Sequence, residues 1–595
     1  MKRTEGYAAI EDYAAIGDGR TCALVARDGA IDWLPLPRFD GETIFARILD
    51  AEQGGAFELA PAVEFESTRE YVGDSNVLRT TFTTATGRVR VSDAITLDHG
   101  GLLPWFELVR RVEGIEGRVP MRWRVAPRFG AGEQDERFET VTLKQATAFK
   151  TETRILTVHP FDVGEVARTG DEISAAFTSE PGFRGALVLR STHDEPIPVA
   201  RRDWIETRVD DTAADWERWL ADAGVDGPWR DATRRSALAL RLLTYVPTGA
   251  IVAAPTTSLP ERIGEDKNYD YRYAWVRDTA FTLDALINLD LLVQVHASFS
   301  WLLHAIRSTN PDVHVFYDLD GETTSGMQEV SLSGYRGSRP VRRGNQAARQ
   351  LQLGCYGDLL ETAELYAQGG NEFDDATADE LAAILDHLTR IWRKKDAGIW
   401  ELPQDEHYTI SKLAAWTAFD RGLRLVEAGQ LPLARADAWR ETRDEIAEFI
   451  ESECWSDARR CYTMYPGTTK LDASVLRVCR TGYLDARSEQ FATVIAAIRE
   501  ELDAGGPLLY RYTGAQGREG AFLACSFWLV EALARAGRLD EARETMDAIV
   551  ALGNDVGLFA EEIDPRTHEF LGNFPQGLSH LSLINAAAAV RDATG

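Results

Sequence analysis

At 595 residues the chain is too long for one ordinary hydrophobic core, so two domains are expected, with a third within range. Its 94 acidic against 65 basic residues leave a net charge of −29, which argues against nucleic acid or an anionic membrane surface as a partner. Hydrophobic residues at 44% and charged residues at 27% are the balance of a soluble globular protein.

The opening Met1-Lys-Arg-Thr-Glu-Gly-Tyr has basic residues with no apolar run behind them, and nowhere do eighteen apolar residues follow one another. Neither a secretory signal nor a membrane span is therefore read. The six cysteines (22, 355, 454, 461, 479 and 525) are scattered without paired metal-ligand spacing and read as reduced and mostly buried, which gives the expectation of a cytoplasmic protein. Residues 1 to about 200 read as strand: runs such as Arg88-Val-Arg-Val91, Leu108-Val-Arg-Arg-Val112 and Ala186-Leu-Val-Leu-Arg190 alternate between Gly, Asp and Pro turns, the pattern of an antiparallel β-sandwich. Asp203 to about Asp226 is polar and predicts a helical linker. From Trp229 the period becomes helical, with about twelve apolar-periodic segments from Ala232–Tyr245 to Gly577–Val590. An even number near twelve, in antiparallel pairs, is what a closed ring of six inner and six outer helices requires. The expected domains are a sandwich with its linker over 1–225 and a helical barrel over 226–595.

Long loops between helical segments are usually functional. The stretch Asn268-Tyr-Asp-Tyr-Arg-Tyr-Ala-Trp-Val-Arg-Asp278 sets four aromatic rings beside an Arg–Asp pair at a helix start. Aromatic faces suit the C–H faces of a sugar ring, and Arg277 with Asp278 supplies a donor fork and an acceptor for neighbouring hydroxyls. The alternative is a buried helix start whose Arg and Asp only pair with each other. Two further loops place glutamates in suggestive settings. In Asp396-Ala-Gly-Ile-Trp-Glu401, Trp400 can desolvate Glu401 and hold it protonated near neutral pH, as a general acid requires. In Gly557-Leu-Phe-Ala-Glu-Glu562, adjacent side chains of an extended segment point opposite ways, so one glutamate can face a pocket while the other anchors the loop. Glycoside hydrolysis needs two such carboxyls, although among 94 acidic residues most are solvated surface. Asp318-Leu-Asp-Gly321 lacks calcium-loop spacing and reads as a turn, and Gly17-Asp-Gly19 reads as a hairpin turn. His407, His568 and His580 sit apart without metal-ligand spacing.

Taken in order, these segments resemble glycoside hydrolase family 15, the glucoamylase and trehalase family, in its bacterial two-domain form. The resemblance covers nearly the whole chain. It rests on Ile16-Gly-Asp-Gly-Arg-Thr-Cys-Ala-Leu-Val, Gly29-Ala-Ile-Asp-Trp-Leu-Pro-Leu-Pro-Arg-Phe-Asp40, Gly249-Ala-Ile-Val-Ala-Ala-Pro-Thr-Thr-Ser-Leu-Pro260 and the 268–278 segment. It continues through Gly334-Tyr-Arg-Gly-Ser-Arg-Pro-Val-Arg-Arg-Gly-Asn345, Gly398-Ile-Trp-Glu401, Glu519-Gly-Ala-Phe-Leu-Ala-Cys-Ser-Phe-Trp528 and the 557–576 run. The resemblance implies an N-terminal β-sandwich and a C-terminal (α/α)6 barrel that cleaves α-glucosidic bonds from non-reducing ends with inversion. No cofactor is read from the chain, and dependence on phosphate or a divalent ion is not visible in it. It implies Glu401 as general acid and Glu561 as general base. It also implies Arg277 and Asp278 as the pair that holds the terminal glucose, Tyr271 and Trp275 as rings lining that subsite, and Arg511 nearer the leaving group. Trp400, Glu562, Arg339 and Trp33 complete the substrate-side candidates, Trp33 through a ring- and proline-rich loop, Asp32–Asp40, that packs against the barrel and closes one side of the pocket or else only joins the domains.

The departures bear on substrate choice. Tyr269 stands where a Trp is common in bacterial relatives, Ile410 where a His is frequent, and Tyr335-Arg-Gly-Ser-Arg-Pro340 lacks the Trp that forms a stacking shelf in fungal glucoamylases. A missing shelf fits trehalose or a short α-gluco-oligosaccharide better than a long glucan. Competing readings are an inverting disaccharide phosphorylase, which Glu561 and Glu562 oppose because carboxylates repel phosphate, and a non-catalytic sugar-binding protein, which is expected to lose one of the two carboxylates. A homodimer fits an intracellular enzyme of this size, though no segment argues for it.

Overall fold

Two eight-stranded antiparallel sheets build the N-terminal part. One runs, in spatial order, Tyr13–Gly17, Cys22–Ala26, Ala30–Leu36, Ala56–Pro61, Val119–Ala126, Glu172–Ser179 and Ala167–Thr169, with Glu42–Phe45 added to Ala30–Leu36. The other runs Glu139–Thr142, Thr147–Lys150, Ile155–Phe161, Arg184–Thr192, Phe106–Gly117, Gly87–Ile95, Leu78–Thr84 and Phe65–Tyr71. Leu78–Thr84 shows the physical basis: Leu78, Thr80 and Phe82 are buried and the residues between them are not, the period-two pattern of a sheet with one face on a core. The computed structural model describes residues 3–97, 105–130, 137–193, 196–197, 199–324 and 326–594.

The linker is helix α1 (Arg202–Leu220), which turns Ile205, Val209, Ala213, Trp216 and Leu220 inward. Twelve helices follow among the described residues. An inner ring closes through α3 (Val276–Ile287), α5 (Gly354–Gln368), α7 (Thr409–Glu427), α9 (Val478–Thr481, extended at its front by the 3-10 turn Ala473–Arg477), α11 (Leu523–Arg535) and α13 (Gly577–Asp592), each packing on the next and α13 returning to α3. The outer ring is α2 (Arg230–Leu243), α4 (Leu292–Arg307), α6 (Asp375–Ile391), α8 (Ala436–Phe449), α10 (Glu489–Glu501) and α12 (Leu539–Val550). Sequence separates the two rings. Every residue of α11 from Leu523 to Ala534 is buried, as a helix surrounded by others requires, whereas α12 buries only the stripe Ala542, Met546 and Ile549. This is the (α/α)6 barrel expected, and one continuous apolar core joins it to the sandwich.

The barrel brings the N-terminal ends of all six inner helices to one face. Arg277 and Asp278 lie in the first turn of α3, Tyr408 directly precedes α7, Phe522 precedes α11 and Gln576 precedes α13, and all of them line one cleft. Gln346 and Lys470, from the loops before α5 and α9, line it as well. Helix N-termini carry partial positive charge, so this face tolerates a concentration of carboxylates that its acidic chain would otherwise disfavour.

Candidate active site

The cleft has a volume of about 470 Å³. Glu401 enters it from the loop before α7 with a φ of 55°, a left-handed conformation uncommon outside glycine. Surrounding bonds over-determine that shape. Arg277 Nη1 donates to Ile399 O at 2.8 Å and Gln350 Nε2 to Glu401 O at 3.2 Å. Beneath the loop, Asp396 accepts from Leu353 N at 2.9 Å, and the buried Lys412 ammonium donates to Trp392 O and Lys394 O at 2.7 and 2.8 Å. Trp275 Nε1 donates to Glu401 Oε1 at 2.7 Å. Burial raises the Glu401 carboxyl above its ordinary range, while the Arg277 charge and the Trp275 bond oppose the rise. The Glu401 carboxyl is thus poised to hold a proton, with partners ready to stabilise the carboxylate it leaves behind.

Arg277 and Asp278 do pair, Nη2 to Oδ2 at 2.8 Å and Nε to Oδ2 at 3.0 Å, but only one carboxylate oxygen is used. Asp278 Oδ1 is buried without a partner in the protein. A buried, unsatisfied acceptor at the floor of a cleft is costly unless a ligand hydroxyl meets it. Tyr269 and Tyr271 stand in near-parallel planes, 6.4 Å apart, along the wall above.

Across the cleft, Glu561 and Glu562 point opposite ways, as an extended segment dictates. Glu561 faces the cleft, accepts from Asn573 N at 3.4 Å and is hydrogen-bonded by Tyr271. Glu562 is turned inward, where Oε2 accepts from Gly520 N at 2.8 Å. Behind them lie Glu261 and Glu519, with two cations. Arg511 donates to Glu519 and Glu261 at 2.7 Å each and lies 3.4 Å from Glu562, and Lys267 bonds Glu519 and lies 3.4 Å from Glu261. Glu261, Glu519 and Glu562 are close enough together to hold a metal ion, but Arg511 and Lys267 already engage their oxygens. Four carboxyls against two cations leave room for two protons. Burial and then the Glu261 charge push Glu561 up to about 8, and the same causes raise Glu562 well above its ordinary range. Glu519 is held low by Arg511 and Lys267 against its own burial.

Glu401, Glu561, Tyr271, Arg277, Asp278, Trp400 and Arg511 all line this cleft. The Trp400 indole is fixed there by Asp472, Nε1 to Oδ1 at 3.0 Å. Four candidates lie elsewhere. Trp275 is buried behind Glu401, stacked on Phe316 at 4.6 Å, because the strand that precedes α3 turns its ring into the barrel wall. Glu562 is enclosed by its salt-bridge partners. Trp33 is buried in a strand enclosed along its whole length and donates to Pro255 O at 2.9 Å, so the ring-rich loop joins domains and closes no side of the cleft. Arg339 is exposed in a separate depression of about 850 Å³ at the domain junction, bonded to Ser333 O. Tyr335 likewise faces the sandwich, its hydroxyl on Ala8 O, and Ile410 lines a small enclosed cavity below the cleft. Lys267, Tyr465, Lys470, Tyr512 and Arg518 line the cleft without having been singled out, and nothing in their local sequence marks them.

A helical barrel with buried carboxyls on facing walls of one cleft defines a glycosidase of the (α/α)6 class. Residues 227–588 match the profile of glycosyl hydrolases family 15, and residues 3–146 match a trehalase-like N-terminal domain. The chain is 34% identical to a trehalase of Mycobacterium tuberculosis, over 98% of this chain and 89% of that one, and 31% identical to a trehalase of Thermoplasma volcanium, over 99% and 94%. Among solved structures it is similar to a bacterial glucoamylase complexed with acarbose, with a TM-score of 0.75 and 13% identity over 98% of this chain and 95% of that one. The protein belongs to glycosyl hydrolases family 15 and is a glycosidase.

Proposed function

We propose that this enzyme hydrolyses trehalose with inversion, releasing glucose from the non-reducing unit, with Glu401 as general acid and Glu561 as general base. The observation that carries the reading is the joint placement of Glu401, Glu561 and the unpartnered Asp278 Oδ1 on one cleft. Asp278 accepts a hydroxyl of the terminal glucose and, with Arg277 beside it, fixes the ring. Glu401 protonates the glycosidic oxygen, and the carboxylate formed is stabilised by Trp275 and Arg277. Glu561 takes a proton from water on the opposite face of the ring, so the anomeric configuration inverts. The full-length similarity to curated trehalases supports a disaccharide, as does a cleft of about 470 Å³ to which the 335–340 segment contributes no ring. Six buried free cysteines suit a reducing cytoplasm, and no helix of the described residues is long and apolar enough to cross a membrane.

The test is proton NMR of the enzyme with trehalose, maltose, isomaltose and maltotetraose, read at early times. Equal amounts of α- and β-glucose, formed from trehalose ahead of the other sugars, are the expected result: the β-anomer comes from the unit that water attacks and the α-anomer from the leaving unit, whose own anomeric bond to oxygen is not broken. α-Glucose alone, with no early β-glucose, would refute inversion, faster turnover of maltotetraose would refute the disaccharide, and glucose 1-phosphate formed only in phosphate buffer would indicate a phosphorylase.

A further inference from the structure

No described residue of the sandwich lines the cleft, yet the segment that carries Glu561 is tied to the sandwich at both ends. At its start, the Asn554 amide spans the domain boundary. Nδ2 donates to Glu11 O at 3.1 Å and Tyr13 O at 2.8 Å, while Oδ1 accepts from Val556 N at 3.2 Å and Leu558 N at 2.9 Å. All four hydrogen-bonding positions of this side chain are used, two toward each domain. Asp555 then receives the Arg69 guanidinium, Nη2 at 2.5 Å and Nε at 3.1 Å, and Arg69 is itself anchored through Nη1 to Asp12 O and Val25 O.

At the far end, Phe570 N donates to Glu11 Oε2 at 3.2 Å. Phe570 pairs with Ile563 and Leu571 with Glu562, so Glu11 is one strand pairing away from the two glutamates. Glu11 therefore touches both ends of the segment, by its backbone carbonyl at Asn554 and by its carboxylate at Phe570. The barrel grips the middle, through Gln576 N on Phe559 O at 3.0 Å, Ser579 Oγ on Ala560 O at 2.8 Å, Leu523 N on Glu561 O at 3.2 Å and the pairing of Ala521 and Phe522 with Ile563 and Glu562.

We propose that the sandwich serves as a jig for the catalytic base, with Asn554 and Glu11 as positioning residues that set where Glu561 stands. The inference rests on Glu561 being the base. The barrel holds the backbone at Glu561 while the sandwich fixes the two ends between which that stretch is strung, so releasing an end shifts the strand that aims the carboxylate, and a misplacement on the order of 1 Å costs about 100-fold in rate. The sandwich thus acts on kcat rather than on sugar binding, because Asp278 and Arg277 are carried by α3.

The experiment uses the full-length enzyme and the variants Asn554→Ala, Glu11→Ala, Glu11→Gln, Arg234→Ala and Glu561→Gln. Arg234 pairs with Asp74 of the sandwich at 2.5 Å and makes an interdomain tie that does not touch the base segment. Read out are kcat, the inhibition constant of glucose and the melting temperature. Asn554→Ala and Glu11→Ala are expected to lose roughly 10- to 100-fold in kcat with glucose inhibition unchanged. Glu11→Gln, which keeps an acceptor for Phe570 N, recovers most of the rate, and Arg234→Ala lowers the melting temperature at unchanged kcat. Should alanine at 554 not fold, Asn554→Asp keeps the acceptor for Val556 and Leu558, loses both donors to the sandwich, and is expected to lose kcat in the same way. Wild-type kcat in the 554 and 11 variants, or an equal loss in Arg234→Ala, overturns the jig. Undiminished activity of Glu561→Gln overturns the base assignment instead, so the two failures are distinguishable.

Discussion

Replacing Glu401 by Gln removes the proton donor and keeps the shape of the side chain. For a sugar leaving group the loss of a general acid costs roughly 100- to 10,000-fold. With α-glucosyl fluoride, whose leaving group needs no proton, the loss should be far smaller, because only the base is then required. The pH dependence sharpens the test. In the free enzyme Glu561 is pushed up to about 8, and burial raises Glu401 above its ordinary range against the opposing Arg277 and Trp275. In the proposed mechanism the productive form has Glu401 protonated and Glu561 ionised. Above pH 8 both carboxyls ionise, so wild-type kcat/KM on trehalose should fall there. In Glu401→Gln acting on α-glucosyl fluoride only ionised Glu561 matters, so the rate should rise about tenfold per pH unit and level off above pH 8. One group thus gives a falling limb in the wild type and a rising limb in the variant. Steady-state rates by fluoride electrode and by glucose release supply both profiles. A pH-independent rate for the variant, or an equal loss on both substrates, would refute the assignment.

Asp278→Asn keeps the volume and removes the charge that accepts a substrate hydroxyl. A hydrogen bond to a charged group contributes about 1.5–3 kcal/mol, so kcat/KM should fall roughly 10- to 150-fold with KM rising, measured on trehalose. Glu561→Gln should raise the melting temperature relative to wild type at pH 8 and much less at pH 5, by calorimetry. The folded-state value of about 8 exceeds the ordinary 4.5, so the wild type loses stability as pH rises through that window and the amide does not. Gly572→Ala places a Cβ 2.5 Å from Glu561 Oε2 and 2.7 Å from Glu561 Cβ at a φ of 73°, so the base must move. Its kcat should fall on the order of 100-fold while glucose inhibition changes little.

The helical periodicity from Trp229 onward corresponds to twelve helices, and the alternating runs of the first 200 residues correspond to two sheets, because both signals are local. Glu401, Glu561, Arg277 and Asp278 stood out for a different reason: each lies in the first turn of an inner helix or in the loop that leads to one, where the chain leaves its helical period. The cleft walls were not legible. Lys267, Tyr465 and Tyr512 arrive from separate loops, and only ring closure brings them to one face. Side-chain direction also escaped the sequence. Trp275 shares a motif with Tyr271, yet its ring backs Glu401 instead of lining the cleft, and of the two readings of the Trp33 loop the buried ring, bonded to Pro255 O, fits joining the domains and not closing the pocket.

The neighbours of the two glutamates explain why they suit opposite tasks. Both are buried, and burial alone would raise both alike. Glu401 is met by an indole N–H and a guanidinium, which favour its ionised form and make it a readier proton donor. Glu561 is met by Glu261, whose charge disfavours ionisation and makes Glu561 a stronger base than an exposed carboxylate, with Arg511 limiting the rise. Stronger acid and stronger base both raise the driving force of their proton transfers, at the expense of a less populated starting form. That compromise works only if Glu561 is held where its water can be reached the moment it ionises. The carboxylate cluster behind it and the fixed ends of its segment are therefore parts of one requirement, since electrostatic tuning of a base that wanders would be lost in its geometry.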